Sequence, residues 1–163
     1  MNQFTLLQNQ ISQLSKKFDI NNINNQQELK GIKNGYNWRY VGQVVNGLRE
    51  GKGTVYFNDG DRYEGDFRND KYEGKGIYYY NREPFKGDRF EGDFRNGIAE
   101  GKGVYYYHNG DRYEGDLRND KREGKGIFYY NNGDREMGDY YNGNEIGKHV
   151  MLTRNGEVKI INY

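Results

Sequence analysis

The side chains able to do covalent or metal chemistry are few in this sequence of 163 residues, and they are scattered. Serine occurs only as Ser12 and Ser15, and cysteine is absent. A serine or cysteine nucleophile therefore has no convincing seat, and neither a disulfide scaffold nor a cysteine-ligated metal site is available. His108 and His149 stand far apart. The first reads as a surface residue in a turn, the second as a space-filler where comparable segments carry Gly. Asp59-Gly60-Asp61 hints at calcium but lacks the alternating acidic ligands and distal Glu of a calcium loop, so it reads as a turn. A recurring Gly-Lys-Gly resembles part of a phosphate loop without its spacing or following helix. Paired carboxylates such as Glu64 and Asp66 are explained by pairing to Lys and Arg across strands. The expectation is a non-enzyme with no catalytic residue, no metal and no cofactor.

Recognition chemistry is better represented. Tyr56, Tyr79, Tyr106 and Tyr129 recur in register, with Thr54, Ile77, Val104 and Ile127 two residues before them. Such a ladder is either a solvent-facing surface of good strand formers or a groove that receives a partner segment, because Tyr is favoured in recognition surfaces. The segment 82–87 holds the only proline and Phe85, which hairpin geometry cannot bury. It is a tolerated loop or a specific contact. Phe4, Leu7, Ile11, Leu14 and Phe18 are spaced 3, 4, 3 and 4 apart, one apolar stripe on a short amphipathic helix. That helix caps its own chain or pairs with another protein. Anionic membrane contact is the main alternative, since Lys recurs at five matched positions. Asp and Glu on the same face oppose it, and the formal net charge is only +1. The basic footprint of a nucleic-acid binder is missing.

The elements that must position these residues follow from composition. Leu, Ile, Val and Phe together number 32, too few for a thick core, while Gly and Tyr number 24 and 17. So many glycines argue against a helical bundle, since each costs about 1 kcal/mol relative to Ala inside a helix. No apolar run approaches the ~20 residues of a membrane-spanning helix, and the N-terminus lacks a secretory apolar core. The expectation is a soluble, intracellular protein. All 17 Tyr follow residue 35, whereas the first 35 residues are rich in Asn and Gln. The expected organisation is an amphipathic helix in 1–20, an Asn/Gln-rich linker in 21–35 and a folded array in 36–163.

The array repeats every 23 residues, with one step of 27. The units are 40–62, 63–89, 90–112, 113–135 and 136–158, followed by a terminal strand. Counting each unit's first residue as zero, Gly recurs at positions two and eleven, Asn at six and Lys at twelve. Each unit reads as a β-hairpin: two runs rich in aromatic and β-branched residues around Asn-Gly or Asn-Asp. Charge favours a four-residue loop, with Arg118 opposite Glu123 and Asp116 opposite Lys125, over a two-residue loop. Either register puts Tyr113, Gly115, Leu117, Gly124, Gly126 and Phe128 on one face. Glu114, Asp116, Lys125, Ile127 and Tyr129 lie on the other. The glycines of the first face let rings lie flat across bare backbone. The same logic covers Tyr63, Gly65, Phe67, Gly74 and Gly76, and Phe90, Gly92, Phe94, Gly101 and Gly103. The fold class is all-β, a thin, elongated single-layer antiparallel sheet of stacked hairpins with a short N-terminal amphipathic α-helix.

These units resemble the MORN repeat, whose signature is Tyr-x-Gly, an aromatic two residues on, then Gly-x-Gly after the turn. The matches are Tyr63-Glu64-Gly65-Asp66-Phe67 with Gly74-Lys75-Gly76, and Tyr113-Glu114-Gly115 with Gly124-Lys125-Gly126. Phe90-Glu91-Gly92-Asp93-Phe94 with Gly101-Lys102-Gly103 carries one conservative change. The resemblance implies an elongated stack of antiparallel hairpins that binds proteins or membranes and does no chemistry. It points to an adaptor or structural subunit of a cytoskeletal or ciliary assembly in the cytoplasm. Peripheral phosphoinositide or anionic-lipid binding, or a regulatory subunit of a larger enzyme complex, are its alternatives. A protein partner is expected, within a multi-subunit assembly, and no nucleic acid.

Overall fold

The computed structural model describes residues 8–10, 12–13, 26–33 and 36–163. Residues 8–10 and 12–13 are helical. The stripe Phe4, Leu7, Ile11, Leu14 and Phe18 lies outside the described residues.

Twelve strands form one sheet in chain order, each antiparallel to the next. They are β1 (Gln26–Lys33), β2 (Tyr36–Val45), β3 (Leu48–Phe57), β4 (Arg62–Arg68), β5 (Lys71–Tyr79) and β6 (Arg89–Arg95). After these come β7 (Ile98–Tyr106), β8 (Arg112–Arg118), β9 (Lys121–Tyr129), β10 (Arg135–Tyr141), β11 (Asn144–Leu152) and β12 (Val158–Asn162). At ~4.8 Å per strand the sheet is roughly 50 Å long and one layer thick.

Turn chemistry sets each hairpin. Asn119 and Asp120 have φ of 51° and 61°, and Asn96 and Gly97 have 54° and 93°. Two consecutive left-handed residues make the tight turn whose twist matches that of the flanking strands. The loop is therefore two residues long, with Arg118 opposite Lys121 and Asp116 opposite Glu123. This corrects the expected four-residue loop. A bulge then shifts the register, so that Gly115 faces Gly126 as the longer loop required. Gly124 sits in that bulge with φ of 63°, as Gly74 (64°) and Gly101 (105°) do in theirs. The expected charge pairs form by other routes. Arg118 reaches Glu123 diagonally at 3.7 Å, and Asp116 pairs with Lys102 on β7 at 2.5 Å.

A second set of bonds ties successive units together. The turn carboxylates Asp61, Asp88, Asp111 and Asp134 accept from the backbone N–H of Asn81, His108, Asn131 and Arg154 at 2.7–2.8 Å. His108 also places Nδ1 2.8 Å from Asp88 while its side chain stays 57% exposed.

The segment expected as a linker holds β1, which pairs with β2 from Gln26 opposite Gln43 to Lys33 opposite Tyr36. The reason is the same ring-and-glycine device used further on. Trp38 lies against Gly31, where any Cβ would run into its ring.

On one face of the sheet, Tyr40, Tyr63, Phe90 and Tyr113 are buried, each lying flat over two glycines of paired strands. Tyr63 covers Gly65 and Gly76, Phe90 covers Gly92 and Gly103, and Tyr113 covers Gly115 and Gly126. The hydroxyls of Tyr63 and Tyr113 donate to the carbonyls of Asp66 and Asp116 at 3.0 Å. Phe67 and Phe94 meet Tyr63 edge-on at 5.2 and 5.0 Å, the arrangement that rings prefer. Gly74, Gly101 and Gly124 are a correction. A Cβ on these residues would meet Asp66, Asp93 and Asp116, not a ring. They are glycine because of their positive φ.

Candidate functional site

The line of glycines that beds the rings also shapes the opposite face. Gly53, Gly65, Gly76, Gly92, Gly103, Gly115, Gly126 and Gly138 stand opposite one another from β3 to β10. Their neighbours in sequence project to the other side, so the bare backbone becomes the floor of a groove crossing the strands. Three contiguous stretches of about 520, 390 and 810 Å³ make up that groove. They share Lys52, Glu64 and Gly65 at one junction and Lys75, Glu91 and Gly92 at the next.

One wall is the recurring lysine. Lys52, Lys75 and Lys102 pair with Asp66, Asp93 and Asp116 at 2.7, 2.7 and 2.5 Å, and Lys125 pairs with Asp139 at 3.1 Å. Such exposed pairs are each worth about 0.2–1 kcal/mol. Their larger effect is to cancel the charge of the row. The other wall alternates across the sheet: Thr54, Glu64, Ile77, Glu91, Val104, Glu114, Ile127. Ile77, Val104 and Ile127, candidates from the sequence, thus line the groove.

The tyrosine candidates are placed differently from a free ladder. Tyr56, Tyr79, Tyr106 and Tyr129 lie on the groove face, one row beyond the Glu/apolar wall. Each ring is covered by a guanidinium, from Arg39, Arg62, Arg89 and Arg112, at 4.4, 4.1, 4.0 and 4.1 Å. Cation–π pairs of this kind are worth about 0.5–1 kcal/mol at exposed sites. Three of the arginines also meet the wall, with Arg62–Glu64 at 3.1 Å, Arg89–Glu91 at 2.7 Å and Arg112–Glu114 at 3.8 Å. The arginine row was missed in the sequence, although its signal is plain: Arg ends each Gly-Asp-Arg turn at 62, 89, 112 and 135. Phe85 is not part of this surface. It is 48% exposed and packs against Tyr80 at 6.0 Å, on the ring face.

A second group unread from the sequence sits among the rings. Tyr72 stacks on Tyr63 at 3.8 Å, and Ala99 is buried in the equivalent place. Arg122 holds its guanidinium 4.8 Å from the Tyr140 ring while donating to the Gly143 carbonyl. Burial pushes the Tyr40 and Tyr113 hydroxyls up to about 12. Among the described residues, no three acidic or histidine side chains converge as a metal site.

Residues 40–62, 63–82, 90–112 and 113–135 match the MORN repeat family, just over half of the chain. The match stops before Glu136, where Glu and His149 replace the ring and the glycine of earlier units. No curated protein matches the sequence. Among solved structures, the SAS-4 (dCPAP) TCP domain of Drosophila melanogaster, in complex with a proline-rich motif of Ana2 (dSTIL), is similar. The likeness covers 83% of this chain and 90% of that chain at 14% identity, with a TM-score of 0.42. At that score it carries no argument about this chain.

Proposed function

This chain belongs to the MORN-repeat family, and on that premise we propose that it is a non-enzymatic protein-interaction module whose glycine-floored groove receives a segment of a partner. MORN repeats suggest a protein- or membrane-binding module, and the groove is the observation that favours a protein. It is continuous over the repeats and walled by apolar side chains set between charges. A groove walled on both sides suits an inserted polypeptide segment better than the flat surface of a bilayer. The lysine row is the membrane reading's main support, and four of its members already hold an Asp.

In this reading the chain is an adaptor or structural subunit. A cytoskeletal or ciliary assembly in the cytoplasm is the setting that the family resemblance supports. The double substitution Ile77→Arg with Val104→Arg tests the groove. Long side chains would fill it and pair with Glu64, Glu91 and Glu114 beside them. Affinity purification from the native cell should lose its specific co-purifying proteins with this variant. Full recovery of the same proteins, at an unchanged melting temperature, would remove the groove as the binding face.

A further inference from the structure

The pattern of the groove breaks at two matched positions, Met137 in the fifth unit and Asn162 in the terminal strand, and the two breaks fall together. On the wall, Glu64, Glu91 and Glu114 alternate with apolar residues, but the next position in that series is Met137. Ile127, Met137, Val150 and Ile160 then stand opposite one another from β9 to β12, an unbroken apolar strip. Met137 and Ile160 are 38% and 59% exposed.

Between them, these two changes strip two cations of their partners. Arg62, Arg89 and Arg112 each meet a Glu two residues on, whereas Arg135 has Met137 there. Lys52, Lys75, Lys102 and Lys125 each meet an Asp on the following strand, whereas Lys148 stands opposite Asn162. Asp139, beside Lys148 on the groove wall, is held by Lys125 at 3.1 Å. Among the described residues, Arg135 and Lys148 make no ion pair, and both are exposed. Met137 and Lys148 line the 810 Å³ stretch of the groove.

We propose that this end of the groove anchors an acidic, apolar segment of the partner protein. It is an extended stretch lying along β10, across this end of the groove, with carboxylates at i and i+4 around an apolar side chain at i+2. The proposal rests on the groove reading above and names its anchor point. Charge complementarity selects the carboxylates, because two unpaired cations flank an apolar strip. Geometry selects the spacing. Arg135 and the level of Lys148 are separated by four residues along β10, ~13 Å, and an extended chain repeats the same distance from i to i+4 with i+2 on the same side.

The test is panning of a random ten-residue peptide display library on the immobilised full chain, with one selected peptide then made and fluorescein-labelled. The blocking variant is Met137→Glu with Asn162→Asp. It installs residues that the other units carry at these positions, so its melting temperature should match wild type. The acidic-x-apolar-x-acidic pattern should be enriched, and affinity for the labelled peptide should fall about tenfold or more with the blocking variant and with Arg135→Glu plus Lys148→Glu. No enrichment of that pattern, or undiminished affinity in the blocking variant, would overturn the proposal. So would binding to phosphatidylserine vesicles that the blocking variant abolishes while peptide binding survives. Peptides blocked by Ile77→Arg with Val104→Arg but indifferent to Met137→Glu with Asn162→Asp would overturn the anchor alone and leave the groove standing.

Discussion

The His149 imidazole lies over the bare backbone of Gly138, with Nε2 2.9 Å from the Asp139 carbonyl. Three of the four earlier units place a tyrosine ring there, its hydroxyl donating to the corresponding carbonyl, as Tyr113 does to Asp116. A carbonyl only accepts, so Nε2 carries the hydrogen. On the ring's other side, Nδ1 lies 2.8 Å from Glu136 Oε1 without the alignment of a hydrogen bond. Glu136 is 1% exposed and also accepts from Tyr130 and Tyr163 at 2.7 and 2.9 Å. The ring has moved from position zero to the place of a glycine, and a carboxylate has taken its old place.

That exchange predicts a rescue. Glu136→Tyr alone puts a second ring on an occupied bed and should cost about 3 kcal/mol. Adding His149→Gly empties the bed and should recover about 2 kcal/mol through coupling of the two sites. Urea denaturation of the two singles and the double measures this. An additive double variant would show that the ring and the imidazole do not share one place.

The two classes of glycine should respond differently to the same substitution. Gly124 has φ of 63°, a region Asn enters readily, so Gly124→Asn should cost under about 1 kcal/mol. Gly126 lies under the Tyr113 ring, so Gly126→Asn should cost about 3 kcal/mol. Equal melting temperatures for the two variants would contradict the distinction.

Arg122 sets a cation among rings where the second unit has Tyr72. Arg122→Ala removes its contacts to Tyr113 and Tyr140 and its bonds to the Gly143 carbonyl. A loss of about 1–2 kcal/mol is expected in chemical denaturation. No loss would place the guanidinium in solvent.

Alkali should unfold the sheet. Burial pushes the Tyr40, Tyr80 and Tyr113 hydroxyls from 10.0 up to about 12. The unfolded chain therefore releases these protons first as pH rises. Their contribution is complete below pH 10 and is lost between pH 10 and 12. Tyrosinate absorbance followed together with circular dichroism should show ionisation and unfolding rising in one step. Ionisation of these rings in a folded sheet at pH 11 would contradict it.

The ring-over-glycine face was legible because Tyr113, Gly115 and Gly126 recur at fixed spacing and strand periodicity assigns them one side. The register was half legible. Charge pairing argued for the longer loop, but Asn119 and Asp120 adopt the left-handed turn and Gly124 absorbs the two-residue difference. β1 was hidden in an Asn- and Gln-rich segment whose one cue is Gly31, set to receive Trp38. Of the groove's lining, Ile77, Val104 and Ile127 stood out by their period. Arg122 among the rings gave no signal, since its matched positions hold Arg49, Tyr72, Ala99 and Glu145. The covering of Tyr79 by Arg62 was not found either, because that pairing joins neighbouring strands and not neighbours in sequence.

Photo-crosslinking from within the groove tests the central claim most directly. p-Benzoylphenylalanine placed at Ile77, on the groove wall, should form an adduct with a partner polypeptide in the native cell, and Val104→Arg should abolish it. The same group placed at Phe85, on the ring-face side, should form none. Adducts from Phe85 with none from Ile77 would contradict the assignment of the groove as the partner's face.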